Sequence, residues 1–270
     1  MANRRHTAVL GLLALMVLLS GCSMGSTPSA ENEDGTTDPD PNLSKVFEGA
    51  YVHAEDLEDV QGTRTNKVTN GSETVIETAR VKTRPYINER TTVLDSPDPG
   101  RIGNIYVSNA TRNWFYYPES NTAEYFVPDE PFDDEETQSD RAEMADENLD
   151  KYDLEYRGTE QVANRETHVL DLEAKNDTVE TEISAIVGAT RFVFALETSN
   201  PKEELRVVEQ RLWIDTEYTY PLKEKVVFEE PDGERIIMTE QFESVTFNTG
   251  VDNETFSFQP PENATVRDIS

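Results

Sequence analysis

Hydrophobic positions change their rhythm several times along the chain. Residues 8 to 19 form one apolar run behind Arg4 and Arg5, and no apolar periodicity survives from Ser23 to Pro41. Val46, Phe47, Ala50, Tyr51, Ala54, Leu57 and Val60 then recur at helical spacing, with Gly62 as a stop. Beyond Gly62 the pattern shortens to brief runs separated by turn residues, which predicts an antiparallel meander. Lys67–Thr69 enters the two-residue turn Asn70-Gly71 and leaves through Glu73 to Lys82. Tyr86 to Leu94 and Ile102 to Ser108 flank the breaker Ser96-Pro97-Asp98-Pro99-Gly100. Later strands are expected at Tyr152–Gly158, Thr167–Ala174, Leu205–Thr216, Leu222–Glu230 and Arg235–Thr246. Two segments read both ways. Residues 133–149, with Met144, Ala145 and Leu149 as a thin stripe, fit a lid helix or a solvated loop; residues 176–200 fit a strand pair or a helix.

The richest aromatic stretch is 113-NWFYYPESNTAEYFV-127. A loop from Pro118 to Asn121 sets Trp114 opposite Tyr125 and Tyr116 opposite Ala123, because directly opposed residues share a face. Trp114, Tyr116, Ala123, Tyr125 and Val127 then form the more apolar face, which is expected to line a concave interior. Phe115, Tyr117, Thr122, Glu124 and Phe126 form the other. The competing reading is a filled core without ligand space.

Charge narrows the partners. Against 54 Asp and Glu stand only 24 Lys and Arg, a formal charge of -30. Phosphate binding needs a basic footprint, so nucleic acid is excluded as a partner. A surface this acidic suits strong salt, where screening acts within about 3 Å, and the chain reads as halophilic; an ordinary acidic secreted protein is the alternative.

The amino terminus predicts export. A basic start, a short apolar run and 19-LSGC-22 read as a signal peptide over residues 1–21, too short to span a bilayer, which needs about twenty apolar residues. Leu19-Ser20-Gly21-Cys22 resembles the lipobox of exported lipoproteins, and Cys22 is the only cysteine. Lipidated Cys22 would anchor the chain to the outer face of the cell membrane. Either the general secretory or the twin-arginine route fits. Residues 22–43 read as a disordered acidic tether and 44–270 as the folded domain. Asn42, Asn70, Asn109, Asn176, Asn253 and Asn263 occupy N-x-S/T sequons, candidates for glycosylation.

Chemistry-bearing constellations are sparse. The histidines are His6, His53 and His168, and no G-x-S-x-G elbow or glycine-rich phosphate loop is present. No enzymatic activity, cofactor or metal is expected.

Several blocks resemble the LolA-like lipoprotein-carrier family. They are Asn113-Trp114-Phe115-Tyr116-Tyr117-Pro118 with Asn121 and Tyr125, the run from Trp213-Ile214-Asp215 to Asn248, the closing Phe256-Ser257-Phe258-Gln259-Pro260-Pro261, and the Arg84-Pro85 step. Gly158, Val162 and Arg165 match a further hairpin, with Asn164 replacing the family's glycine. The resemblance covers roughly residues 44–266. It implies a mainly β (α+β) fold, a curved antiparallel half-open β-barrel with a helical lid. It further implies an apolar cavity for a lipid or a lipoprotein acyl chain, with Trp114, Tyr116, Tyr125, Val127 and Arg84 as candidate ligand residues. The alternative is an envelope sensor on the same fold, recognising a protein partner, including a membrane protein. Arg84 reads either as a lid-holding residue or as a plain surface arginine.

Overall fold

A computed structural model describes residues 41–175 and 205–270. The chain opens with helix α1 (Leu43–Gly49), capped by the Asn42 side chain, which accepts from the Lys45 amide. Strands β1 (Val60–Asn70), β2 (Glu73–Arg84), β3 (Asn88–Asp95), β4 (Ile105–Asn109), β5 (Arg112–Tyr117) and β6 (Thr122–Phe126) follow. Helix α2 (Asp134–Leu149) interrupts them. Next come β7 (Tyr152–Val162), β8 (Arg165–Ala174), β9 (Arg206–Asp215), β10 (Pro221–Glu229), β11 (Arg235–Phe247) and the short β12 (Thr265–Asp268). They make one open sheet ordered β12-β6-β5-β4-β3-β2-β1-β11-β10-β9-β8-β7, a curved half-barrel under a helical lid. Neighbours run antiparallel except β12, which the sequence pattern did not announce and which lies parallel to β6.

The expected first helix is shorter than its apolar spacing suggests. Val46, Phe47, Ala50 and Tyr51 do pack as one cluster, but Leu57 joins another and Val60 opens β1. β1 pairs along its length with β2 on one side and β11 on the other, and this long-range pairing outweighs local spacing. Gly62 is therefore a strand residue, not a helix stop. A Cβ there would run into the Ser244 carbonyl, where β11 bulges past β1 between Thr63 and Arg64.

Residues 133–149 settle as a helix. Asp133 caps it by accepting from the Glu135 and Glu136 amides, both at 3.0 Å, and Asp134, Glu135 and Glu136 sit in the first turn where the helix dipole favours carboxylates. Ala145 is fully buried and Leu149 partly so, whereas Met144 points outward.

Two of the sequence motifs meet in the β7–β8 and β9–β10 turns. Ala163 and Asn164 both hold positive φ, 51° and 62°, so the asparagine occupies a left-handed position that glycine would otherwise fill. Arg165 then donates twice to fully buried Asp215, which also accepts the Glu217 and Tyr218 amides. A second buried carboxylate, Asp59, receives the Thr249, Gly250 and Val251 amides and the Thr249 hydroxyl. Burial alone would raise its pKa, but these four hydrogen bonds hold it below the usual carboxylate range. Asp59 so fixes the point where the chain leaves β11 and turns back across the sheet.

Candidate functional site

Strand register assigns the two faces of the sheet. Leu170 faces Leu212, which faces Glu224, then Glu240, then Asn66. Arg64, two residues before Asn66, shares that side and faces Ala79, with Val81 beside it. The same side continues through Val81–Thr91, Thr91–Tyr106, Tyr106–Phe115 and Phe115–Glu124. At one end this face carries the lid. Val46, Phe47, Ala50 and Tyr51 of the first helix region and Ala145 of α2 pack on Leu170, Leu172, Leu212 and Ile214. At the other end Tyr106 and Phe115 remain only half-buried, their ring centroids 5.3 Å apart, and Tyr117 and Phe126 are exposed.

Between these ends the floor is polar. Arg64 Nη1 meets Glu240 Oε1 at 2.7 Å, with both residues more than nine-tenths buried. Burial pushes the Glu240 carboxyl up, Arg64 draws it down and Glu89 raises it again. Gln210 donates to Glu224 at 2.9 Å on the same floor. From the lid side, Asn148 donates to the Tyr51 hydroxyl at 3.1 Å. His53 stacks on Tyr86 and tilts against Tyr220, with Nδ1 3.2 Å from the Gly49 carbonyl. Burial lowers its pKa to about 4, so the ring is neutral. Gln138 and Arg141 of α2 close over Tyr86, one by a 3.3 Å hydrogen bond and the other across the ring face.

The expected hairpin register is what the structure shows: Trp114 faces Tyr125, Tyr116 faces Ala123 and Tyr117 faces Thr122. The side assigned to that face is corrected. Trp114, Tyr116 and Tyr125 lie away from the lid, and the returning carboxyl-terminal segment covers them. Phe258 tilts onto Trp114 and Tyr116 at 5.6 and 5.5 Å, and the Arg112 guanidinium lies over Trp114 and Tyr125. Alternation in one hairpin separates two faces, but only the partners of later residues decide which is covered by what. Val127 is half-buried, its amide donating to the Ser270 hydroxyl at the β12 edge. Arg84 sits on the same back face. It donates to Asn253 and the Val251 carbonyl and lies over the Phe256 ring, so it ties down the carboxyl-terminal segment and not the lid. Residues that sequence reasoning missed are Arg64, Glu224 and Glu240, whose charge disguises their burial among 54 acids.

Cys22 and Asn176 fall outside the described residues, as does the segment 176–200. Among the sequons, Asn109 is half-buried, with Nδ2 donating to the Phe256 carbonyl, so a glycan there would break an internal bond. Asn42, Asn253 and Asn263 are exposed and Asn70 half-exposed. His168 lies on β8, its Nδ1 3.2 Å from the Tyr156 hydroxyl. Glu230, Asp232 and Glu234 bring carboxylates together at the β10–β11 turn, with Glu230 buried and the other two exposed. Among the described residues no helix is long and apolar enough to cross a membrane.

No family model matches the chain. No curated protein matches it either. Solved structures do. An uncharacterized conserved protein from Thermus thermophilus is 13% identical, with TM-score 0.45 over 83% of this chain and 96% of that one. The MucA/MucB complex of Pseudomonas aeruginosa gives 13% identity and TM-score 0.43 over 81% of this chain and 62% of that one. A LolA superfamily protein from Nitrosomonas europaea gives 9% and 0.34 over 80% and 97%. Likenesses this distant carry no argument about what this chain binds.

Proposed function

We propose that the protein is an exported module, anchored through lipidated Cys22, that binds a lipid or the acyl chain of a lipoprotein on the lidded face of its sheet and performs no chemistry of its own. The observation behind this reading is the uneven cover of that face. The lid packs on β7, β8 and β9, while the face runs on into the rings of Tyr106, Phe115, Tyr117 and Phe126. Burying an acyl chain there yields about 0.8 kcal/mol per methylene, offset by ordering of chain and lid. The ligand face is thus the one opposite Trp114 and Tyr125.

Titration with an environment-sensitive fluorescent lipid in molar salt tests it. Phe115→Asp, which puts a charge on the ligand face, should abolish binding, and Tyr125→Ser, on the back, should spare it, both variants being checked for folding by circular dichroism. Loss in Tyr125→Ser with retention in Phe115→Asp would return the ligand to the back face. A wild-type protein that binds no lipid, and whose organic extract is empty, would point instead to a sensor with a protein partner.

A further inference from the structure

On the lidded face, between the lid and the open rings, lie charged atoms whose hydrogen-bonding capacity the fold leaves partly unfilled. Arg64 is 8% exposed and Glu240 3%, yet Arg64 Nε and Glu240 Oε2 have no hydrogen-bond partner beyond the ion pair that joins their other ends. A third orphan, Asn148 Oδ1, belongs to the lid helix. Native interiors satisfy such atoms almost without exception, because an unpaired buried polar group costs the full loss of its hydration. The pair also borders a small cleft of about 10 Å³, lined by Arg64, Pro221, Leu222, Lys223, Glu224, Glu240 and Phe242. That is room for one water or one hydroxyl.

We infer that this cleft is the head-group socket of the lidded face, and that it takes the hydroxyl of an uncharged lipid, such as an acylglycerol or a long-chain alcohol, in preference to an anionic head. The inference rests on the lipid-binding reading above. A hydroxyl is the group that fits both orphans at once, accepting from Arg64 Nε–H and donating to Glu240 Oε2. Charge argues against an anion. The cleft holds one guanidinium against two carboxylates, Glu224 and Glu240. Lys223 also borders the cleft, with its ammonium held 4.0 Å over the Trp213 ring, so the cations there do not outnumber the carboxylates. A ligand carboxylate would be a third buried negative charge. Phe242 and Leu222 form the apolar rim from which the chain would run.

The test compares oleyl alcohol, monoolein and oleate as competitors for a bound fluorescent lipid, with full-length mature protein in molar salt at pH 8. The two uncharged lipids should bind about tenfold more tightly than oleate, the equivalent of about 1.4 kcal/mol. In the double variant Arg64→Met with Glu240→Leu, apolar side chains replace a buried ion pair, a change such sites tolerate. It should still bind all three lipids and lose the preference. Glu240→Gln serves if the double variant does not fold; with one carboxylate fewer, it should bind oleate more tightly than wild type does. Oleate bound as well as oleyl alcohol by the wild type, or a preference unchanged in the variants, would overturn the socket while leaving lipid binding intact. Failure of the wild type to bind any of the three would instead overturn the underlying reading.

Discussion

Arg165 donates Nε and Nη2 to the two oxygens of Asp215, at 2.8 and 2.9 Å, and so joins two motifs through residues 50 positions apart. Asp215 is wholly buried, and Arg165 is its charge partner, with the Tyr218 and Phe247 rings beneath the guanidinium. Truncating one partner of such a pair strands the other charge. Arg165→Ala should destabilise the domain by about 3 kcal/mol, read by denaturant melts in constant salt. Glu217→Ala, which removes the exposed second partner of the same arginine, should cost under about 1 kcal/mol.

His53 sets an acid limit on stability. Its folded pKa, lowered by burial to about 4, lies below the 6.5 of the unfolded chain. Between those values the unfolded state binds the proton and the folded state does not. The stabilising contribution is therefore complete above pH 6.5 and falls as pH drops toward 4. At pH 5 the loss amounts to about 2 kcal/mol. His53→Phe keeps a ring against Tyr86 and Tyr220 but cannot titrate, so its melting temperature should fall less than wild type between pH 7.5 and 5. Parallel curves would remove His53 as the cause.

Phe258 closes the back face. Phe258→Ala should open a gap over Trp114 and Tyr116 and cost about 2 kcal/mol, with added exposure of Trp114 visible as a red-shifted emission. Lipid binding at the lidded face should persist in the folded fraction. A loss of binding without a loss of stability would mean that the back face takes part.

Net charge makes a prediction about salt. With a formal charge of -30, screening over about 3 Å near molar salt should hold the acidic surface together, and dilution should weaken it. The melting temperature should fall steadily from molar to millimolar salt. A flat profile would contradict the halophilic reading.

Cys22 carries the anchoring proposal. Cys22→Ser should release the mature protein into the soluble fraction, since only lipid on that thiol is expected to tie the chain down. Retention on membranes through detergent-free washing would mean that the apolar segment of residues 8–19 stays attached.

Local spacing governs the strand runs, the Asn70-Gly71 turn, the Trp114–Tyr125 register and the left-handed Asn164. All of these follow from alternation and turn chemistry within a few residues, so they are legible in the chain alone. Where those pieces face is a matter of long-range packing. Val60 fits a helical period and Gly62 reads as its stop, yet β2 and β11 recruit both into a central strand. Trp114 and Phe115 alternate in either orientation, and only the lid on β7–β9 and the return of Phe256 and Phe258 made one side front and the other back. Arg64 and Glu240 read as two more charges in a charged chain until strand pairing set them together on the buried floor of the lidded face. Periodicity is a property of neighbours in the chain; the covering of a face depends on segments that arrive from far away, and no local pattern records their arrival.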